Sequence, residues 1–194
     1  QPVLCGHFNS LCLRPGLMLH AAQVRDLCDA HTHNPLRDAG LKIILLLDGA
    51  TDVAFGPRRL ALSARQGMLL NLAEPEMFSR RWQRGRHEAK VSLTLTRAWL
   101  QDSGAELGAA LAGFAGRHLA SQPWTPCLRA QQLARSLLAP SAASAGLRRL
   151  HLESQCLELA ALAFGALAPA PAPGLNAAER RRLAQLDALL REAP

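Results

Sequence analysis

His31-Thr32-His33 is the tightest grouping of chemically capable side chains in this sequence. Histidines at i and i+2 on an extended strand point to one face. Two such imidazoles, joined by a carboxylate and a later histidine, suit a transition metal. Asp38 stands where the carboxylate would come, and His87 supplies the late histidine. Against this, Pro35 is expected to break the strand, and no glycine-rich lead-in precedes His31. A structural or ligand-contacting role is therefore favoured over a metal site, and no cofactor is expected.

Trp82 shares a strand face with Phe78 and Arg80, a combination that can stack on a flat aromatic ligand and pair with its carboxylate. His20 faces the same side of its strand as Met18 and reads most simply as a buried histidine; with His31 and His33 it completes a small polar set for a ligand. Trp99 is expected in the core. The chain holds no nucleophile elbow, phosphate loop, dinucleotide fingerprint or HExxH sequence, so an enzyme is not the expected reading.

These residues need a scaffold, and 194 residues with 49% hydrophobic content are enough to bury one or two cores. The formal charge is +7, carried almost wholly by arginine, with Lys42 and Lys90 the only lysines. Most arginines are scattered; Arg80, Arg81, Arg84 and Arg86 form the one run, read as a solvated hairpin ahead of a phosphate or DNA patch. Cys5, Cys12, Cys28, Cys127 and Cys156 show neither CxxC nor zinc spacing, which suits reduced thiols in a cytoplasm. No complete signal peptide opens the chain, and the apolar stretch from Leu159 to Ala168 is too short to span a bilayer.

The first half reads as strands over Leu17–Val24, Leu41–Leu47, Thr51–Phe55, Arg59–Leu62, Met68–Leu72, Met77–Gln83 and Lys90–Leu95. Turn signals separate them: Asp48-Gly49, Gly56-Pro57, Gln66-Gly67, Glu74-Pro75 and Arg84-Gly85. Lys90–Leu95 alternates as a half-buried antiparallel strand should, whereas Ile43–Leu47 is apolar on both faces and reads as a central strand. Short strands at regular spacing predict an all-β sandwich or barrel.

After Leu95 the pattern turns helical. Thr96 is placed to cap a turn holding Trp99, Ala105–Leu119 is an Ala-rich segment weakened by glycines, and Thr125-Pro126 is expected to open a helix to Leu138. From Leu147 one apolar stripe runs through Leu150, Leu157, Ala161 and Phe164, and a second through Leu152, Cys156, Leu159 and Ala163. Two stripes describe either a helix with a dimer seam at Leu150, Leu157 and Phe164 or a fully buried helix. Ala168–Gly174 then alternates with proline, and Asn176–Glu179 forms a capping box for a last helix. A helix begun after a proline-rich hinge predicts a piece of a longer protein.

Four local patterns resemble one family. Gly40-Leu-Lys-Ile-Ile-Leu-Leu-Leu-Asp-Gly49 is similar to the central barrel strand, Lys90–Leu100 to the last strand and first helix, and Leu157–Leu162 to the linker helix of the sensor half of AraC/XylS-family transcriptional regulators, in the PchR-like subgroup that responds to ferric siderophores such as ferripyochelin. Glu179–Leu190 resembles the helix that opens their DNA-binding domain. The resemblance implies an α+β chain. Residues 1–100 would form a cupin-like, jelly-roll β-barrel that senses a small molecule, 101–168 a helical linker and dimerisation region, and 169–194 a hinge and first helix. It implies a homodimer, an aromatic or ferric-siderophore effector, DNA contact only through helix-turn-helix units beyond Pro194, and no membrane partner. A cupin-type metalloenzyme using His31, His33, Asp38 and His87 is the alternative.

Overall fold

The computed structural model describes residues 2–36, 39–103, 108–139 and 144–167. Eight strands fill the first half: β1 (Leu4–Arg14), β2 (Leu17–Asp26), β3 (Ala30–Leu36), β4 (Gly40–Phe55), β5 (Arg58–Ser63), β6 (Gln66–Leu72), β7 (Glu76–Trp82) and β8 (His87–Thr96). Helices α1 (Arg97–Ser103) and α2 (Gly108–Ala115), strand β9 (Ser121–Trp124), and helices α3 (Leu128–Leu138) and α4 (Ala145–Phe164) follow, and α4 runs into a single 3-10 turn at Gly165–Leu167. The proline-rich hinge, the Asn176–Glu179 capping box and the last helix lie outside the described residues.

All strand pairing among the described residues is antiparallel. One sheet runs β1-β2-β8-β4-β6-β9; the second joins β5, the far half of β4, β7 and β3. Strand β4 belongs to both, and its sequence shows why. Leu41, Ile43 and Leu45 bury on one side of the first sheet while Ile44 and Leu46 bury on the other, as a central strand covered on both faces requires. Asp48-Gly49, expected as a turn, is instead a bulge at which the register with β8 shifts. Gly49 adopts φ +79°, and a Cβ there would collide with the His87 carbonyl, so only glycine lets this one strand bend from sheet to sheet.

Strands β1, β3 and β9 add to the elements expected from sequence. Pro35 does not break β3, which among the described residues pairs with β7 alone; an edge strand has one side without a ladder to lose. Among the described residues β1 likewise pairs only with β2, so the two sheets face each other as an open sandwich rather than a barrel closed by hydrogen bonds.

The helices cover the outer face of the first sheet. Leu17, Leu19, Val91, Leu93 and Leu95 share one core with Leu133, Leu137, Cys156, Leu159 and Ala163, so strands and helices are held by the same apolar burial. Thr96 caps α1 by accepting from the Trp99 amide at 3.3 Å, as expected. Helix α3 departs from expectation: it starts at Leu128 after Cys127, with no side-chain cap, rather than at Thr125-Pro126. Asn71 ties β6 to the end of α2 through bonds to the Ala115 and Arg117 carbonyls at 2.8 and 2.9 Å. The described cysteines are free thiols, and burial pushes Cys156 up to about 12, which leaves it a hydrophobe. Among the described residues no helix is long and apolar enough to cross a membrane.

Candidate functional site

Strand β8 alternates as its sequence requires, with an unexpected orientation. Val91, Leu93 and Leu95 bury beneath the helices, so the polar face of Glu88, Lys90, Ser92 and Thr94 turns inward, toward the second sheet. Register extends that face to both neighbours. His20 lies opposite Ser92, Lys42 opposite Thr94, and Lys90 opposite Ala22 on one side and Leu46 on the other. The chain's only two lysines therefore share the inner face with His20.

The far half of this face is a buried ion network. Arg80 of β7 donates to Glu88 Oε1 at 2.6 Å and to Asp26 Oδ1 at 2.9 Å, while Lys90 Nζ lies 3.1 Å from the same Glu88 oxygen. Arg86 and the Gln83 amide hold the second Asp26 oxygen at 2.9 and 3.0 Å. Asp26 and Glu88 are each only 2% exposed, which is tolerable because both are paired. The Arg80 guanidinium also lies 4.1 Å over the Trp82 ring, and the indole donates to Thr32 Oγ1 at 3.1 Å. Two buried atoms in this cluster have no partner among the described residues, Arg80 Nε and Glu88 Oε2.

Electrostatics follow from the burial. Burial, then the positive charges of Lys42 and Lys90, push the His20 imidazole below its ordinary value and keep it neutral. Burial also lowers Lys90 against the opposing pull of Glu88. For Glu88 burial alone would raise the carboxyl, but Lys90 and Arg80 outweigh it and hold the group below the usual range. Lys42 Nζ lies 3.1 Å from Thr94 Oγ1.

The ligand set expected from sequence is thereby divided. His20, Arg80 and Trp82 face inward. His31 and His33, with ring centroids 4.3 Å apart, share a face as predicted, but it is the exposed outer face of β3; Thr32 between them points to Trp82. Arg80 does not wait for a ligand carboxylate, since it already holds two from the protein. The arginine run is also split, with Arg80 and Arg86 inside the network and Arg81 on the outer side 3.8 Å from Asp52. Exposed His87 pairs with Asp48 at 3.2 Å, and Asp38 lies outside the described residues. Among the described residues no three His, Cys, Asp or Glu side chains gather as a metal site.

Sequence reasoning passed over Lys42, Lys90, Glu88 and Asp26. Their signal was present: two lysines in an arginine-rich chain, each at a polar step of an alternating or apolar strand. Phe8 was also missed. It is 58% exposed on edge strand β1, with its ring 6.5 Å from that of His20. A groove of about 630 Å³ lies elsewhere, on the outer side between Gln23, Leu47, Arg65 and Arg135; it holds none of the inner-face residues.

Helix α4 separates its two stripes except at Phe164, which was expected in the seam. Cys156, Leu159 and Ala163 bury, whereas Leu150 is 63% and Leu157 39% exposed; Phe164 leans against the core. The helix is bolted to the end of β1, where Arg149 donates to the Leu13 carbonyl at 2.6 Å and Glu153 pairs with Arg14.

Comparison with known proteins places these features in context. The family model of the regulatory protein PchR N-terminal domain matches residues 5–178. No curated protein matches the chain. Among solved structures, the AraC-like transcriptional activator CuxR is similar at 12% identity and a TM-score of 0.45, over 87% of this chain and 58% of CuxR. ToxT from Vibrio cholerae with bound unsaturated fatty acid is similar at 12% identity and 0.42, over 94% of this chain and 66% of ToxT. The Clostridium difficile EutQ protein is similar at 12% and 0.36, over 48% of this chain and 69% of EutQ. The chain thus spans less than two thirds of the length of either regulator.

Proposed function

The chain belongs to the PchR N-terminal domain family of AraC-type regulators, and we propose that it is the cytoplasmic effector-sensing and dimerisation region of such a regulator, with a ferric siderophore or other aromatic small molecule as its effector. Residues 1–100, with β9 (Ser121–Trp124) added at the edge of the first sheet, carry the ligand-binding sandwich, and 101–168 otherwise the helices that pair two copies; 169–194 lead to a DNA-binding region. The observation that carries the reading is the inner face itself. A polar set of His20, Arg80 and Trp82, beside the apolar half of Ile44, Leu46, Phe55 and Leu70, suits a planar ligand with few polar groups better than a sugar.

Occupancy is relayed by a short path. Strand β1 borders the site through Phe8, whose ring lies 6.5 Å from that of His20 on β2, and its far end is held by Arg149 and Glu153 of α4. A ligand that binds better to one placement of β1 shifts α4 with it, which is the differential affinity any relay needs. The exposed Leu150 and Leu157 stripe of α4 then joins its copy in the partner.

Fluorescence titration tests the effector. A ferric phenolic siderophore is expected to quench tryptophan emission in a saturable way through Trp82. No saturable response to ferric or iron-free forms, beside a clear response to an aliphatic or sugar effector, would retire the siderophore and leave the regulator.

A further inference from the structure

We propose that the outer groove between the end of α3 and the corner joining β5 to β6 is a second ligand site, which takes a small organic anion through Arg65 and Arg135 and seats its apolar body on Leu47 and Ala89. This site is separate from the inner face and does not rest on the effector reading above.

The floor of the groove is the outer face of the first sheet at the place where its helical cover runs out. Gln23 lies opposite Ala89 across β2 and β8, and Ala89 lies opposite Asp48 across β8 and β4. Alternate residues of a strand share a face, so Gln23 and Ala89 continue the rows of Leu19 and Val91 that the helices bury further along. Helix α3 ends at Leu138, and Ala139 leaves it in an extended conformation. Leu47 and Leu138 still pack against the shared core, whereas Gln23 and Asp48 are exposed. The resulting groove of about 630 Å³ is of a size that small-molecule sites use, and its leucine and alanine side chains offer apolar surface to a ring or short chain.

Two cations reach this groove from different elements. Arg135 stands in the last turn of α3, a helix without an acidic residue, and Arg65 stands in the corner where the chain leaves β5 for β6. Both line the groove, and among the described residues neither guanidinium has a hydrogen-bond or ion-pair partner. The lining carboxylate, Asp48, is already paired with His87 at 3.2 Å. An arginine fork matches the paired oxygens of a carboxylate or a phosphate. Two such forks beside an apolar floor favour an oxyanion carried on an apolar body over a bare ion or a neutral molecule.

The corner adds an observation of its own. Arg65 sits at φ +64°, in the left-handed region that glycine enters without cost and a residue with a side chain does not. Its amide donates to the Leu46 carbonyl at 2.7 Å, and the Ser63 amide donates to Gln66 Oε1 at 2.8 Å, so the corner is pinned on both sides of it. Glycine would serve this turn better, and no contact within the described residues repays the arginine for its conformation. An anion in the groove does.

NMR titration of the 194-residue chain with phenyl phosphate, benzoate, inorganic phosphate and benzyl alcohol separates charge from apolar body. Phenyl phosphate or benzoate is expected to shift the Leu47 and Leu138 methyls and the Gln23 side-chain amide in a saturable way, with His20 and Trp82 unmoved. The stronger of the two identifies the oxyanion as phosphate or carboxylate. Benzyl alcohol and inorganic phosphate should each bind about tenfold or more weakly, the scale of one charge-assisted hydrogen bond. Arg135→Gln and Arg65→Gly should each weaken the aromatic anion by a similar factor, while Arg65→Gly melts at or above the wild-type temperature because its backbone strain is relieved. Groove signals that ignore both aromatic anions, that answer benzyl alcohol or inorganic phosphate equally well, or that persist in both variants overturn the site. Shifts at His20 and Trp82 in place of the groove also overturn it, and leave the inner-face reading standing.

Discussion

The Arg80 guanidinium lies 4.1 Å over the ring of Trp82 while holding Asp26 and Glu88 with its two terminal nitrogens. One residue thus fixes the indole and pairs with two buried acids, whose charge it shares with Arg86 and Lys90. Trp82→Ala should weaken effector affinity by about 1–3 kcal/mol, the usual scale for an aromatic contact, and leave the ion network in place. Arg80→Met should instead destabilise the fold by about 3–5 kcal/mol, because it strands buried carboxylates. Paired denaturation and binding curves separate the two effects; a Trp82→Ala variant with unchanged affinity contradicts the assignment.

Helix α4 gives a prediction in which stability and assembly part company. Leu157 is 39% exposed in the single chain and Leu159 is 1% exposed. Leu157→Asp should shift monomer stability by only about 0.5 kcal/mol and abolish dimers in sedimentation, whereas Leu159→Asp should unfold the protein. A wild-type chain that stays monomeric at high concentration removes the seam.

Acid should weaken the fold in two steps. The native value of His20 is depressed by burial and then by Lys42 and Lys90, so its full contribution is present above its unfolded value of 6.5 and is lost as pH falls through the native value. Glu88, held low by Lys90 and Arg80 against its burial, adds a second loss below its unfolded 4.5. In NMR titrations, Lys90→Met should move the His20 midpoint upward while burial keeps it below 6.5. An unmoved midpoint places Lys90 away from His20.

The bolt between α4 and β1 should be measurable by hydrogen exchange. Arg149→Ala removes the bonds to the Leu13 and Cys12 carbonyls. It should cost about 1–2 kcal/mol and lower protection along β1 more than along β8, which is paired on both sides. Uniform loss along both strands means that the bolt holds the whole fold rather than one edge.

Much of this was legible in the sequence. The alternation of Lys90–Leu95, the two-sided apolar run of Ile43–Leu47, the Thr96 cap and, Phe164 aside, the two stripes of α4 each follow from local period, and each appears as expected. What local period does not reveal is which face turns inward. The polar side of β8 reads as solvent-facing until the helices are known to cover the apolar side, and His31 and His33 read as pocket residues until β3 is known to pair with β7. Asp48-Gly49 reads as a turn because a bulge uses the same residues. Arg80 and Asp26 are 54 residues apart, and no local pattern pairs them.

The central claim is that an effector lies on the inner face of the sandwich, and NMR titration with the gallium complex of a phenolic siderophore tests it most directly, gallium standing in for ferric iron without paramagnetic broadening. Saturable shifts of the His20 imidazole, the Trp82 indole and the Phe8 ring, with His31 and His33 unmoved, are the predicted result. Shifts confined to His31 and His33, or to Gln23, Arg65 and Arg135 around the outer groove, would contradict it.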